Sequence, residues 1–168
     1  MARCLQMTAM RVYKGVFVCQ SSKKAETKAR GLHMGNDQKT ILVVDDNEDI
    51  RNLLSLILEK ENYKVIHGVD GRDGLAKIIE NQPDLILLDV MMPGFSGLEV
   101  LAEVRANKKK EINSIPICMI TAKSLVEDID VALELGATSY IVKPFRPAVL
   151  AEKVNTLLMS AAEQLAKG

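Results

Sequence analysis

Five polar side chains that could bind or transfer a charged group stand directly after short apolar runs. They are two adjacent acids, a third acid, a hydroxyl and an ammonium: Asp45, Asp46, Asp89, Thr121 and Lys143. If the apolar runs are neighbouring parallel strands, their carboxyl ends meet at one edge of a sheet, where open α/β folds bind ligands. We therefore expect these side chains to converge on one site.

Three acids at such a site would repel one another, since two like charges 4 Å apart cost about 4 kcal/mol at an effective dielectric of 20. A hard divalent ion with oxygen ligands relieves this repulsion, which indicates Mg2+. The ion would also favour a phosphoryl group, to which Lys143 adds a second positive charge and Thr121 a hydrogen bond. Asp89 is then the candidate nucleophile, because an aspartate can carry a phosphoryl group covalently.

Each of these residues alone has an ordinary structural explanation. One acid at Asp45 or Asp46 is typical of a helix cap, and Asp89 could form a turn. Thr121 alone is typical of a turn, and Lys143 alone of a solvated surface. The functional interpretation therefore depends on the whole set.

Apolar runs and helical spacing predict five strands that alternate with five helices. The strands are expected at Ile41–Val44, Lys64–His67, Leu85–Leu88, Ile115–Ile120 and Tyr140–Val142. The helices are expected after the cap Asn47 (Ile50, Leu53, Leu54, Ile57 and Leu58 inward), at Gly71–Asn81 (Leu75, Ile78 and Ile79 inward), Leu98–Ala106, Leu125–Leu135 with Gly136 as a left-handed cap, and from Pro147 toward Ala166. Residues 108–111 should be a solvated connection. This alternation predicts an α/β fold, a doubly wound five-stranded parallel sheet.

Composition and charge divide the chain into two parts. The 168 residues suggest one domain with an appendage, and 48% apolar residues can form its core. Residues 1–36 hold seven Lys/Arg and one acid, whereas residues 37–168 have a net charge of −6. The acidic part argues against direct binding of nucleic acid. No apolar run approaches the ~18 residues of a membrane helix.

We predict that residues 1–36 form a basic, disordered N-terminal extension or leader, and that residues 37–168 form the domain. A start at Met34, a targeting segment and a functional basic arm are three interpretations of the extension. Cys4, Cys19 and Cys118 show no CxxC spacing, so neither a disulfide framework nor a zinc site is expected. Cys118 should be a buried thiol.

Four segments make the chain from Lys39 to about Leu158 resemble the receiver domains of two-component response regulators. They are ILVVDDNEDIR (41–51), LILLDVMMPGFSGLEV (85–100), MITA (119–122) and YIVKPF (140–145). Their order and spacing are those of the family. The resemblance implies a flavodoxin-like (βα)5 fold with strand order 2-1-3-4-5.

The resemblance also implies roles for residues of the site. Asp89 matches the phosphoacceptor, and Asp45 and Asp46 match the acidic pair that binds Mg2+. Asp89 itself and the backbone carbonyl of Met91 match the remaining protein ligands of the metal.

Three further positions match the residues that respond to phosphorylation. Thr121 matches the switch hydroxyl and Tyr140 the switch aromatic. Lys143 matches the lysine that contacts the phosphoryl group, and the Lys143–Pro144 bond matches one that is cis in the family.

The resemblance therefore implies a signalling receiver. Asp89 would accept a phosphoryl group from a sensor histidine kinase or phosphotransfer protein, with Mg2+, and switch a protein-interaction face formed by the fourth helix, fifth strand and fifth helix. We expect it to act in the cytoplasm as a monomer or phosphorylation-dependent dimer, on an unidentified protein target and without binding nucleic acid or membrane. It would assist its own phosphotransfer and dephosphorylation without being an enzyme.

Three alternatives remain at this point. The chain could be a receiver fragment of a longer regulator whose output domain is absent. A phosphatase with an aspartyl nucleophile would favour an acid at position 91, where this chain has Met91. A nucleotide- or flavin-binding module would need a Gly-rich loop where Asp45 and Asp46 stand.

Overall fold

The computed structural model describes residues 11–13, 16–18, 38–122 and 127–167 of the chain. The chain divides into two compact units, residues 1–35 and 36–168. In the first unit, strands β1 (Arg11–Tyr13) and β2 (Val16–Val18) pair antiparallel. The prediction that residues 1–36 are a disordered extension or leader stays a prediction.

The second unit is a parallel sheet with helices on both faces. Its strands are β3 (Thr40–Val44), β4 (Lys64–Gly68), β5 (Leu85–Asp89), β6 (Ile117–Ala122) and β7 (Ser139–Lys143). Its helices are α1 (Glu48–Lys60), α2 (Gly71–Asn81), α3 (Gly97–Arg105), α4 (Lys110–Asn113), α5 (Glu127–Glu134) and α6 (Pro147–Lys167). The order β4-β3-β5-β6-β7 is 2-1-3-4-5 when the five strands are counted along the chain. The predicted fold class is confirmed.

Alternating side chains of the central strands supply the two halves of the core. Ile86 and Leu88 of β5 pack with residues of α2, α3 and α4, whereas Leu85 and Leu87 pack with residues of α1 and α6. All five residues of β5 are buried. A strand buried on both faces reads as a continuous apolar run, which is why β5 is so plain in the sequence. The polar residue that ends it is held by a rigid frame.

Two predicted helix ends are confirmed. The Asn47 side chain accepts hydrogen bonds from the backbone N–H groups of Asp49 and Ile50, at 2.9 and 3.3 Å. Gly136 follows α5 with a φ of +94°, a left-handed conformation that favours glycine. The predicted residues Leu125 and Val126 of this helix lie outside the described residues.

Two sequence predictions were wrong in detail. Strand β6 begins at Ile117 and not at Ile115, because Pro116 has no N–H to donate to the ladder. Residues 108–111 are not simply a solvated connection, since α4 begins at Lys110 and buries Ile112.

Two residues predicted to face inward lie at the surface instead. Leu53 of α1 is 44% exposed and Ile79 of α2 is 45% exposed. Both stand next to a buried residue of the same helix, so the apolar stripe of each helix is narrower than its sequence pattern suggests.

Candidate functional site

The carboxyl ends of the central strands place four of the predicted site residues together. Val44 pairs with Leu88, so Asp45 and Asp89 follow neighbouring positions of β3 and β5. Asp89 in turn pairs with Ile120, and Ala122 pairs with Lys143. The sheet thus brings Asp45, Asp89, Thr121 and Lys143 to one edge, as the spacing of the sequence predicts.

Lys143 links the two buried acids of this edge. Its Nζ donates a hydrogen bond of 2.7 Å to Asp45 Oδ2 and another of 2.7 Å to Asp89 Oδ1. Asp45 is 1% exposed and Asp89 5% exposed, while the Lys143 side chain keeps 24% of its surface in water. The ammonium therefore ties together three strands, β3 through the residue that follows it, β5 and β7.

The electrostatics of this triad leave excess negative charge. Burial raises the pKa of Asp89 above its ordinary value of 3.8, and the charge of Asp45 adds to the rise, although Lys143 opposes it. For Lys143, burial disfavours the charged form, but the hydrogen bonds to both acids outweigh it and raise the pKa above 10.5. One ammonium thus faces two carboxylates and compensates them only in part.

The other predicted metal ligands lie at the surface beside the triad. Asp46 is exposed and Met91 is 63% exposed. Among the residues that the structure describes, no group of three or more acidic, histidine or cysteine side chains is placed to hold a metal ion. The structure thus joins Asp45 and Asp89 but does not gather Asp46 with them.

The donor chemistry of the site nevertheless fits Mg2+. Asp45 and Asp89 offer carboxylate oxygens beside the exposed carboxylate of Asp46, an all-oxygen set of the kind that a hard cation prefers. Because one ammonium faces two buried carboxylates, additional positive charge would be favourable there. Asp45 and Asp89 would hold the metal together with Asp46, and the metal would supply positive charge in addition to that of Lys143.

Three residues that the resemblance matches to switching or phosphoryl contact are Thr121, Tyr140 and Lys143. Thr121 is 1% exposed, and its hydroxyl lies 3.3 Å from the Ala122 carbonyl oxygen. Tyr140 is 40% exposed on β7. The Lys143–Pro144 peptide bond is cis, so that prediction is confirmed.

Two residues near Asp89 and Asp45 were not assigned a role from the sequence. A Cβ at Gly97 would lie 2.0 Å from the Asp89 carbonyl oxygen, so only glycine allows α3 to begin this close to the site. Arg51 of α1 is 8% exposed and donates from Nη1 to the Asp45 carbonyl oxygen at 2.7 Å. Its signal in the sequence was a charged residue three positions before Leu54, on the apolar stripe of the helix.

Comparison with known proteins connects this geometry to a family. The family model described as response regulator receiver domain matches residues 41–155, more than half of the chain. The chain belongs to the response regulator receiver domain family. The resemblance inferred from the four segments is confirmed, and with it the assignment to two-component signal transduction.

Individual relatives agree with this membership. The chain is 42% identical over 127 residues to the transcriptional regulatory protein ResD of Bacillus subtilis, a match of 76% of this chain and 51% of ResD. Among solved structures, it resembles a putative response regulator from Chloroflexus aurantiacus (32% identity, TM-score 0.69, 73% and 98% of the two chains). It also resembles the chemotaxis protein CheY4 of Vibrio cholerae (33% identity, TM-score 0.66, 71% and 98%).

Membership of the family has general consequences. The chain spans about half the length of ResD, so it corresponds to one part of that regulator. Receiver domains generally bind Mg2+ at the phosphorylation site and interact with a histidine kinase or phosphotransfer partner. Within the described residues, no helix is both long and apolar enough to cross a membrane.

Proposed function

We propose that this receiver domain accepts a phosphoryl group on Asp89 from a histidine kinase or phosphotransfer protein, in a step that requires Mg2+. The observation that carries the proposal is the hydrogen-bonded triad of Asp45, Asp89 and Lys143 at the carboxyl edge of the sheet. Asp89 stands at the end of the central strand β5, where a rigid core fixes its backbone.

The transfer is a substitution at phosphorus. A carboxylate oxygen of Asp89 forms the new P–O bond while the P–N bond of a phosphohistidine donor breaks, and the electron pair of that bond leaves with the imidazole nitrogen. Lys143, already 2.7 Å from Asp89, would hold a phosphoryl oxygen. Thr121 stands on the neighbouring strand to donate a hydrogen bond to another.

Mg2+ would be held by Asp45, Asp46, Asp89 and the Met91 carbonyl, and it would offset the charge that develops on the phosphoryl oxygens. The side chains of this chain supply the rest. They hold the acceptor oxygen in place and, through burial, limit the access of water to the acyl phosphate. We infer a phosphoacceptor that assists its own phosphorylation and dephosphorylation, without turnover of another substrate.

We propose that phosphorylation changes the surface formed by α5, β7 and α6. The modification adds a charge of about −1.5 to −2 next to Lys143 and Thr121. Exposed apolar side chains on this surface, Val131 and Leu133 of α5 and Tyr140 of β7, could contact a protein target once Tyr140 turns. We expect the exchange to take place in the cytoplasm, between proteins, with the receiver as a monomer or a phosphorylation-dependent dimer.

A labelling experiment tests the acceptor. The full chain is incubated with labelled acetyl phosphate or a phosphorylated kinase, with and without MgCl2, and hydroxylamine-sensitive label is counted. Asp89→Asn should abolish the label. Asp84→Asn is the matched control, because Asp84 precedes the same strand and also bonds a lysine, Lys39 at 2.9 Å. Label that is retained in Asp89→Asn, or equal labelling of the parent without Mg2+, would refute the proposal.

A further inference from the structure

A buried arginine lies behind the acid pair. Arg51 of α1 is 8% exposed, and its Nη1 donates a 2.7 Å hydrogen bond to the carbonyl oxygen of Asp45. Among the described residues it forms no salt bridge, and its Nε has no hydrogen-bond partner. The guanidinium is thus buried, charged and only partly satisfied.

Such a group is costly for the fold alone. In the part of the chain that the structure describes, Arg51 has no carboxylate within salt-bridge distance, although its charge acts on Asp73 from farther away. Burial raises the pKa of that carboxyl, but its hydrogen bonds and the charges of Lys77 and Arg51 lower it. A buried charge of this kind loses hydration that one carbonyl does not replace, and an apolar side chain of similar length would pack with less penalty. Buried polar atoms usually have a hydrogen-bond partner, and exceptions are expected at functional sites. The side-chain hydrogen bond that Arg51 does form goes to the backbone of the acid pair.

The Asp45 carbonyl belongs to the peptide unit that joins Asp45 to Asp46. Because that unit is planar, a bond to its oxygen fixes the direction of the Asp46 N–H and so the exit of the chain toward the second acid. The other hydrogen bonds of Asp45 do not involve this carbonyl oxygen. Its N–H donates to the Gly68 carbonyl, and its side chain accepts from the Asn47 N–H and Lys143.

Arg51 is itself firmly held. Its N–H donates to the Asn47 carbonyl at 3.1 Å, and its carbonyl accepts from the Ser55 hydroxyl at 2.9 Å. Ser55 also contacts Nε2 of His67 on the neighbouring strand β4. The peptide between the two acids is therefore tied through Arg51 to a rigid part of α1.

We propose that Arg51 is a positioning residue, which orients the Asp45–Asp46 peptide so that both acids can bind Mg2+. This proposal rests on the Mg2+ site of the proposed function. It assigns to Arg51 an effect on metal affinity and none on the acceptor chemistry of Asp89. The guanidinium charge itself repels a cation, so the proposal requires that the orientation of the peptide outweighs this repulsion.

Calorimetric titration of the full chain with MgCl2 at constant ionic strength tests this role. Arg51→Met should weaken Mg2+ binding ~10-fold, within the range seen when a group that orients a metal ligand is removed. Arg51→Lys, which keeps the charge and an N–H donor for the Asp45 carbonyl, should stay within about threefold of the parent. With acetyl phosphate, the Mg2+ concentration for half-maximal labelling should rise in Arg51→Met while the maximal rate is kept.

Arg105→Met is the matched control. Arg105 also uses its side chain to bond backbone carbonyls, those of Gly136, Asn113 and Ile115, but at the end of α3. Its loss should lower the urea midpoint and leave the Mg2+ affinity unchanged. If Arg51→Met does not fold, Arg51→Leu replaces it, since it also lacks a donor for the Asp45 carbonyl, and the same weakening of Mg2+ binding is expected.

Each remaining outcome is decisive. Mg2+ binding in Arg51→Met that stays within about twofold of the parent, or becomes tighter, overturns the proposal, because then packing or charge alone explains the residue. A parent that binds no Mg2+ overturns both this inference and the proposed metal site. A parent that binds Mg2+ but is not labelled on Asp89 overturns the proposed function alone.

Discussion

Replacement of Lys143 by methionine should destabilise the fold in a way that depends on pH and on Mg2+. The ammonium is the cation that holds the Asp45 and Asp89 carboxylates together, at 2.7 Å from each. Methionine keeps much of the side-chain length without the charge. The two acids would then face each other with only water and any bound cation to separate them.

The size of the effect follows from burial. Removal of one partner from a buried ion pair costs about 3–5 kcal/mol, because the other charge stays buried without compensation. The Lys143 side chain is 24% exposed, so in the variant water can partly solvate the two carboxylates in its place. The lower end of this range therefore applies. We expect the free energy of unfolding of Lys143→Met to be about 3 kcal/mol lower than that of the parent at pH 7.

The pH dependence has a defined sign. Asp89 has a raised pKa in the fold, so its contribution to stability is present at acidic pH and lost as pH rises through the folded pKa. Without Lys143 that pKa rises further. The pKa of Lys143 is also raised, so its contribution is present below 10.5 and lost as pH rises through the folded value. The difference in the free energy of unfolding between the parent and Lys143→Met should therefore become smaller at both acidic and strongly alkaline pH.

Urea unfolding at several pH values, with and without MgCl2, measures both effects. Lys77→Met is the matched control, because Lys77 forms an equally short ion pair with Asp73, 2.7 Å, outside the site and with both side chains about 30% exposed. That variant should lose at most about 1 kcal/mol. MgCl2 should stabilise Lys143→Met more than the parent, and it should stabilise Lys77→Met only as much as the parent, because that variant keeps the metal site intact. Equal losses in the two variants, or no added effect of Mg2+, would refute the reasoning.

Three further predictions concern the same region. Gly97→Ala should lower the free energy of unfolding by about 3 kcal/mol and abolish most phosphate incorporation, because its Cβ would meet the Asp89 carbonyl oxygen at 2.0 Å. Gly94 has open space around it but a φ of +80°, so Gly94→Ala should lower the free energy of unfolding by only about 1 kcal/mol and keep labelling. Equal urea midpoints for the two variants would contradict this prediction. Asp89→Asn should raise the free energy of unfolding by about 1 kcal/mol at pH 7, because it removes a buried charge. This difference should disappear at acidic pH, where Asp89 of the parent is itself neutral. A lower free energy of unfolding at pH 7 would show that the Lys143 contact outweighs the cost of burial. Cys118 is fully buried with a pKa raised to about 12 by burial, so in a Cys4→Ser/Cys19→Ser chain iodoacetamide at pH 8 should label it only in urea, and rapid labelling of the folded chain would count against that burial.

Where sequence prediction failed, local competition decided the outcome. The apolar run from Ile115 contains Pro116, and its missing N–H moved the start of β6 to Ile117. The charged stretch before it contains Ile112, whose burial was enough to form the short helix α4. Apolar residues at a helical spacing do not define how wide a stripe the sheet will cover, so Leu53 and Ile79 stayed exposed.

The sequence by itself determined the fold class and, through its resemblance, the strand order, and it predicted which residues form the site. Buried parallel strands leave continuous apolar runs, and Asp89 stands out because it ends such a run. Side-chain partners depend on distances that no spacing along the chain records. Only the tertiary structure decided that Lys143 bridges Asp45 and Asp89 while Asp46 stays at the surface. Only the structure, likewise, showed that the Arg51 guanidinium turns inward from α1 to hold the peptide between the two acids.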